Sequence, residues 1–163
     1  MNLFDLTGKV AIVTGSTKGI GEAIAWRMAQ HGARVIVSSR KADACETVAA
    51  AINERYGQKE SVAHPIACNI AHREQLEGLV SQTRAVFGKI DILVCNAAVN
   101  PYFGPMANCP DEAFDKIMGS NVRSNFWLCN MVLPEMAARK DGAVIIVSSI
   151  GGIKGSALLG AYA

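Results

Sequence analysis

The feature that most narrows the fold of this chain is a rhythm. Short, nearly continuous apolar runs recur along its 163 residues, and each is followed by a longer segment with helical spacing. "KVAIVTG" leads into a helix expected over Gly19–Gln30. "ARVIVSS" leads into another through "ADACETVAAAINERYG", where Cys45, Val48, Ala49 and Ile52 recur on one face. A weaker run, "SVAHPIAC", precedes a helix whose apolar face is Leu76, Leu79, Val80, Thr83 and Phe87. "IDILVCN" reads as a fully buried strand, and Pro101, Gly104, Pro105 and Pro110 mark the loop after it. A long helix is expected through "DEAFDKIMGSNVRSNFWLCNMVLPEMAARK", interrupted at Gly119 and Pro134, before a last strand, "GAVIIVSS".

Strands that are apolar on both faces need cover on both faces, and a parallel sheet with crossover helices provides it. Right-handed crossovers then predict one α/β domain over residues 1–163, doubly wound, with strand order 3-2-1-4-5. Half of the residues are hydrophobic, enough for a substantial core at this length. The net charge of +2 is small and evenly spread, which argues against a nucleic-acid partner. No apolar run approaches the roughly 20 residues of a membrane span. "MNLFDLTGKVAIVTG" runs directly into a strand, so no leader is expected. Cys45, Cys68, Cys95, Cys109 and Cys129 are odd in number and contain no CxxC pair, and His31, His64 and His72 are scattered. No metal site is expected, and reduced thiols in a cytoplasmic protein are.

In a doubly wound sheet, ligands collect beyond the carboxyl ends of the strands. The unusual sequences of this chain all fall there. After the first strand comes "TGSTKGIG", in which Gly15, Gly19 and Gly21 lead into a helix. Glycine permits a tight turn and lets a diphosphate approach main-chain N–H groups, while the helix start offers unpaired donors to the anion. The spacing is G-x3-G-x-G, unlike the general G-x-G-x-x-G dinucleotide fingerprint.

"TGSTKGIG", followed in order by "CNAAVN", "SNVRSNF" and a "VSS" whose Ser149 lies thirteen residues ahead of Tyr162, resembles the short-chain dehydrogenase/reductase family. The likeness covers essentially the whole chain, and the glycine pattern is that of the family's shorter members. "SSRK" with "NAAVNPYFG" also resembles the branch containing NADPH-dependent carbonyl reductases and peroxisomal retinal reductases. The resemblance implies a Rossmann-type nucleotide-binding domain and hydride transfer between a nicotinamide cofactor and a carbonyl or alcohol. Gly15, Thr17, Lys18, Gly19, Ile20 and Gly21 would line the cofactor at the first turn.

The choice of cofactor rests on the end of the second strand. Members that prefer NAD place an aspartate there to bind the adenosine ribose. Here Ser39 occupies that place and Arg40 follows. A carboxylate would repel a 2′-phosphate, whereas a small hydroxyl admits one and a guanidinium can grip it. With Lys18 resembling a second basic residue near the same phosphate, NADP is expected in preference to NAD. Asn69 and Ile70 stand where the family has an aspartate and an aliphatic residue beside the adenine. Asn96, Ala97 and Ala98 resemble its Asn-Ala-Gly turn under the cofactor, and Ala98 should avoid positive φ.

For the chemistry, the resemblance makes Tyr162 the acid that protonates the developing alkoxide and Ser149 the hydroxyl that stabilises the substrate oxygen. Asn121 matches the asparagine that holds a water in the proton relay. A lysine one helical turn past the tyrosine would fall at position 166, three residues beyond Ala163. The family's last two strands and its oligomerisation helices would also lie beyond, leaving the fifth strand as an apolar edge. The expectation is therefore a truncated member with negligible turnover by itself, homo-oligomeric when full length. A non-catalytic dinucleotide-binding fragment is the alternative.

Overall fold

The computed structural model describes residues 3–57 and 60–163. Five strands, β1 (Val10–Thr14), β2 (Arg34–Ser38), β3 (Ala63–Pro65), β4 (Ile92–Cys95) and β5 (Ala143–Ile146), form one sheet. Its order is β3-β2-β1-β4-β5 and every pairing is parallel. The helices are α1 (Gly19–Gln30), α2 (Ala42–Tyr56), α3 (Arg73–Phe87), α4 (Asp111–Ile117) and α5 (Ser124–Arg139). The expected doubly wound arrangement is present, and α1 has the bounds expected from sequence.

Alternation along the central strands divides the core in two. Ala11 and Val13 of β1 and Val35 and Val37 of β2 pack with Ala25 and Ala29 of α1 and Cys45, Ala49 and Ile52 of α2. Ile12, Ile36 and Leu93 point the other way, onto Leu76, Leu79 and Val80 of α3 and Leu128 and Val132 of α5. Burial of the latter eight side chains alone stabilises the fold by ~1.5–3 kcal/mol each. Phe87, expected on the buried face of α3, is only partly buried and lies under the Arg34 guanidinium, 5.8 Å from the ring centroid.

Three elements differ from expectation. β3 spans only three residues, paired with β2 on one side and met at its start by Asn53 of α2. The Asn53 Oδ1 accepts from the N–H groups of Val62 and Ala63, and its Nδ2 donates to the Ala63 carbonyl, all at 2.8 Å. Pro65, which has no N–H to give, is tolerated because β3 is an edge. Gly119 does interrupt the long helix, as a π-helical stretch over Met118–Arg123 between α4 and α5. Pro134 does not; α5 runs through it, with Val132 and Met136 buried on either side to hold that face on the core.

Candidate active site

The first crossover is held from both sides. Thr14, at the end of β1, accepts at Oγ1 from the N–H groups of Asn96 (3.0 Å) and Ala97 (3.1 Å). Asn96 returns the tie, its Nδ2 donating to the carbonyls of Thr14 (2.9 Å) and Gly15 (3.2 Å). On the opposite side Ser16, fully buried, donates from Oγ to the Val13 carbonyl at 2.7 Å and accepts from the Ser38 N–H at 2.8 Å. Neither Thr14 nor Ser16 was singled out as a site residue from sequence. A buried hydroxyl at a strand end is the signal that could have found them, because it must satisfy itself on neighbouring backbone.

The glycines divide the labour. Gly15 (φ +67°) and Gly19 (φ +60°) adopt the left-handed conformation. A β-carbon at Gly21 would collide with the Gly15 carbonyl and the Asn96 side chain, so this glycine lets α1 close on the turn. A β-carbon at Gly19 would meet nothing within 4 Å, so that position faces open space. Thr17 is half-buried, Lys18 is exposed and the Ile20 side chain is 65% exposed at the same opening. The turn is therefore rigid beneath and bare above, a shape that fits a pyrophosphate set against the start of α1.

At the end of β2, Ser39 is gripped at every polar atom. Its N–H donates to the Cys45 sulfur at 3.1 Å, its carbonyl accepts from the Cys68 N–H at 2.8 Å, and its Oγ accepts from the Lys41 N–H at 3.3 Å. Arg40 follows it into solvent. Neither Arg40 nor Lys18 has a hydrogen-bond or ion-pair partner among the described residues. Asn69 forms a local turn, its Oδ1 accepting from the Ala71 N–H at 3.2 Å, and Ile70 packs partly into the core. Asn96 braces the turn from below, Ala97 packs under Gly15, and Ala98 is exposed. Ala98 does avoid positive φ; Lys140 is the one non-glycine with positive φ among the described residues.

The reacting side is built after β4 and β5. Asn121, in the π-helical stretch, clamps Val99: Oδ1 accepts from its N–H and Nδ2 donates to its carbonyl, both at 2.9 Å. The Asn121 carbonyl in turn accepts from Asn125 Nδ2 at 2.8 Å. The expected water-holding residue is thus engaged in shaping the loop after β4, with one amide hydrogen and acceptor capacity to spare. Ser149 Oγ accepts from the Gly151 N–H at 3.1 Å, which leaves its own proton free to point at a substrate oxygen. Tyr162 is half-buried in a short 3-10 turn, Gly160–Tyr162. Its surroundings meet those of Ser149 at Gly151, where a β-carbon would lie 3.4 Å from Ser149 Oγ and 3.9 Å from Ala163 Cβ. Ser149 thus follows β5 directly, and the turn carrying Tyr162 comes near it through Ala163.

Burial pushes the Cys68 thiol up to about 11 and the Cys95 thiol up to about 12, so neither supplies a nucleophile at neutral pH. Among the described residues no group of three or more His, Cys, Asp or Glu is arranged to hold a metal ion, and no helix is long and apolar enough to cross a membrane. A depression lined by Trp26, Arg27, Gln30 and Tyr56 lies on the outer side of α1 and α2. It shares only Gly19 with the residues considered above.

Comparison with known proteins gives a consistent picture. The short chain dehydrogenase family model matches residues 9–163. Dehydrogenase/reductase SDR family member 4 of Bos taurus is 43% identical over 157 residues, covering 96% of this chain and 55% of that protein. The Homo sapiens protein of the same name is 46% identical over 145 residues, covering 89% of this chain and 51% of its own length. A crystal structure of a short-chain type dehydrogenase/reductase from Mycobacterium marinum superposes with a TM-score of 0.85 at 35% identity, covering 94% of this chain and 61% of that one. The chain thus spans about half the length of the curated relatives it matches. With the family model matched over residues 9–163 and the parallel sheet in the expected order, the chain belongs to the short-chain dehydrogenase family.

Proposed function

We propose that this chain is the cofactor-holding portion of an NADP-dependent oxidoreductase acting on a small carbonyl compound or secondary alcohol. The observation that carries the choice of NADP is the end of β2. Ser39 stands there without a carboxylate, followed by Arg40, and Arg40 and Lys18 are both exposed with no acidic partner among the described residues. A guanidinium offers a 2′-phosphate charge-assisted, bidentate hydrogen bonds.

The residues divide the work as follows. Gly15, Thr17, Lys18, Gly19, Ile20 and Gly21 would hold the diphosphate, Ser39 and Arg40 the adenosine ribose, and Asn69 and Ile70 the adenine. Asn96, Ala97 and Ala98 would form the floor toward the nicotinamide, which supplies or accepts the hydride when bound. The Ser149 hydroxyl donates to the substrate oxygen as charge builds on it. Tyr162 transfers the proton to or from that oxygen. Homo-oligomerisation of the longer protein is part of the proposal, supported by Phe126 (63% exposed) and Leu133 (45% exposed) on α5.

Titration with NADPH and NADH followed by turnover on a panel of ketones tests this reading. NADPH should bind at least about tenfold more tightly, a difference of ~1.4 kcal/mol. Equal affinity, or preference for NADH, refutes the choice of cofactor. A second reading, a dinucleotide-binding polypeptide without catalysis, is favoured by the span of only about half of the relatives' length. Tight NADPH binding without turnover selects it.

A further inference from the structure

The stretch that carries Tyr162 has little to hold it. Residues 153–163 are mostly exposed, and their backbone bonds are local, such as Lys154 N–H to the Ile150 carbonyl at 2.9 Å and Tyr162 N–H to the Leu159 carbonyl at 3.0 Å. Among the described residues one hydrogen bond ties this stretch to the chain before Ser149. It is donated by the Gly104 N–H to the Leu158 carbonyl at 2.8 Å, beside a parallel bridge between Gly104 and Leu159. Gly104 is buried, and its position is set by Tyr102, whose hydroxyl donates to the Pro105 carbonyl at 2.9 Å. The Tyr102 ring also lies directly against Gly160. A β-carbon there would come within 2.9 Å of Tyr102 Cδ1 and 3.1 Å of Cε1, and Gly160 itself sits at φ +51°. The turn that follows packs against α4 and the Met106–Asn108 turn.

We propose that Tyr102 is a positioning residue for Tyr162. Its ring is the seat on which the Gly160–Tyr162 turn rests, and its loop supplies the Gly104 tie, so that the Tyr162 hydroxyl is presented to the mouth that holds Ser149. The ring provides the seat by shape, since a glycine lying on an aromatic face leaves no freedom for the turn to slide toward it. The phenol bond to Pro105 is secondary, because it lies within the loop of Tyr102 itself. The inference rests on the reading of Tyr162 as the proton-transferring residue.

Amide exchange and 1H–15N shift titration with NADP+ on the 163-residue chain test it. Tyr102→Ala should speed exchange of the Gly104 and Tyr162 amides at least about tenfold while the β1 amides keep their protection. Tyr102→Phe, which keeps the ring, should stay within about twofold of the unaltered chain. NADP+ should bind Tyr102→Ala with unchanged affinity, but the shift it causes at the Tyr162 amide should be lost. Unchanged exchange at Gly104 and Tyr162 overturns the proposal. So does a loss of protection spread over the whole sheet, or a Tyr162 shift that survives in Tyr102→Ala. If NADP+ fails to bind the unaltered chain, the functional reading falls, and the exchange results alone decide whether Tyr102 seats the turn.

Discussion

The two ends of the sheet treat charge in opposite ways. At the amino end of the strands, Asp91 is buried to 2% exposure, yet every neighbour answers it. It accepts from the Val10 N–H at 2.8 Å, pairs with Lys89 at 2.9 Å and lies 3.4 Å from Arg139, which also donates to the Ile90 carbonyl at 2.8 Å. Nearby, Lys9 and Asp141 join the starts of β1 and β5 at 2.7 Å. At the carboxyl end, Lys18 and Arg40 stand in solvent with no partner among the described residues. Charge closed on itself fixes strands in register, whereas the two cations at the other end are left open. The difference separates the end that maintains the fold from the end to which we assign the cofactor.

The largest effect should come from breaking the closed end. Asp91→Ala strands two cations and the Val10 N–H in a partly buried site, and urea unfolding should show a loss of ~3–5 kcal/mol. Asp91→Asn should lose less, because its amide oxygen can still accept from Val10. At the open end, Gly19→Ala places a β-carbon on a left-handed residue, costing roughly 1–2 kcal/mol in stability. It should also weaken NADPH binding at least about tenfold by covering the bare face of the turn. If stability falls and binding holds, the open face is not where the diphosphate sits.

A subtler test is Arg40→Ala. It should weaken NADPH about tenfold and leave NADH and the unfolding midpoint unchanged, with the NADPH difference shrinking in high salt. The smallest effect belongs to the Lys9–Asp141 pair. The hydrogen bond with Lys9, then its charge, holds the Asp141 carboxyl below its ordinary 3.8, and the same bond raises Lys9 above its ordinary 10.5. A depressed carboxyl contributes stability above its unfolded pKa and loses it as pH falls through the folded value. A raised ammonium contributes below its unfolded pKa and loses it as pH rises through the folded value. Asp141→Asn should therefore lower stability slightly across the neutral range, where the pair contributes, and so flatten the falls on the acid and the strongly basic side.

Much of the molecule was legible in the sequence, and unevenly so. The α1 bounds and the strand order followed from apolar runs and the glycine turn, because those signals are local or follow from handedness. The short β3 did not, since its start is held by Asn53 from a helix ten residues away. The partners of Asn96 were hidden for a similar reason. Its position in the chain matched a turn under the cofactor, but its amide spends itself on Thr14 and Gly15, eighty or more residues earlier. Asn121 likewise carries a family-like position while its side chain is occupied by Val99.

The residues alone therefore determined the class of fold, the glycine turn after β1 and the order in which Ser149 and Tyr162 appear. Periodicity, glycine conformations and crossover handedness act over a few residues or as a topological rule. Tertiary structure decided what could not be spaced along a chain. It determined which hydroxyls pin the turn, which cations stay unpaired, and how a loop from β4 comes to lie beneath the tyrosine at the end. Each of these depends on partners far apart in sequence, and a buried polar group declares its partner only once the chain has closed around it.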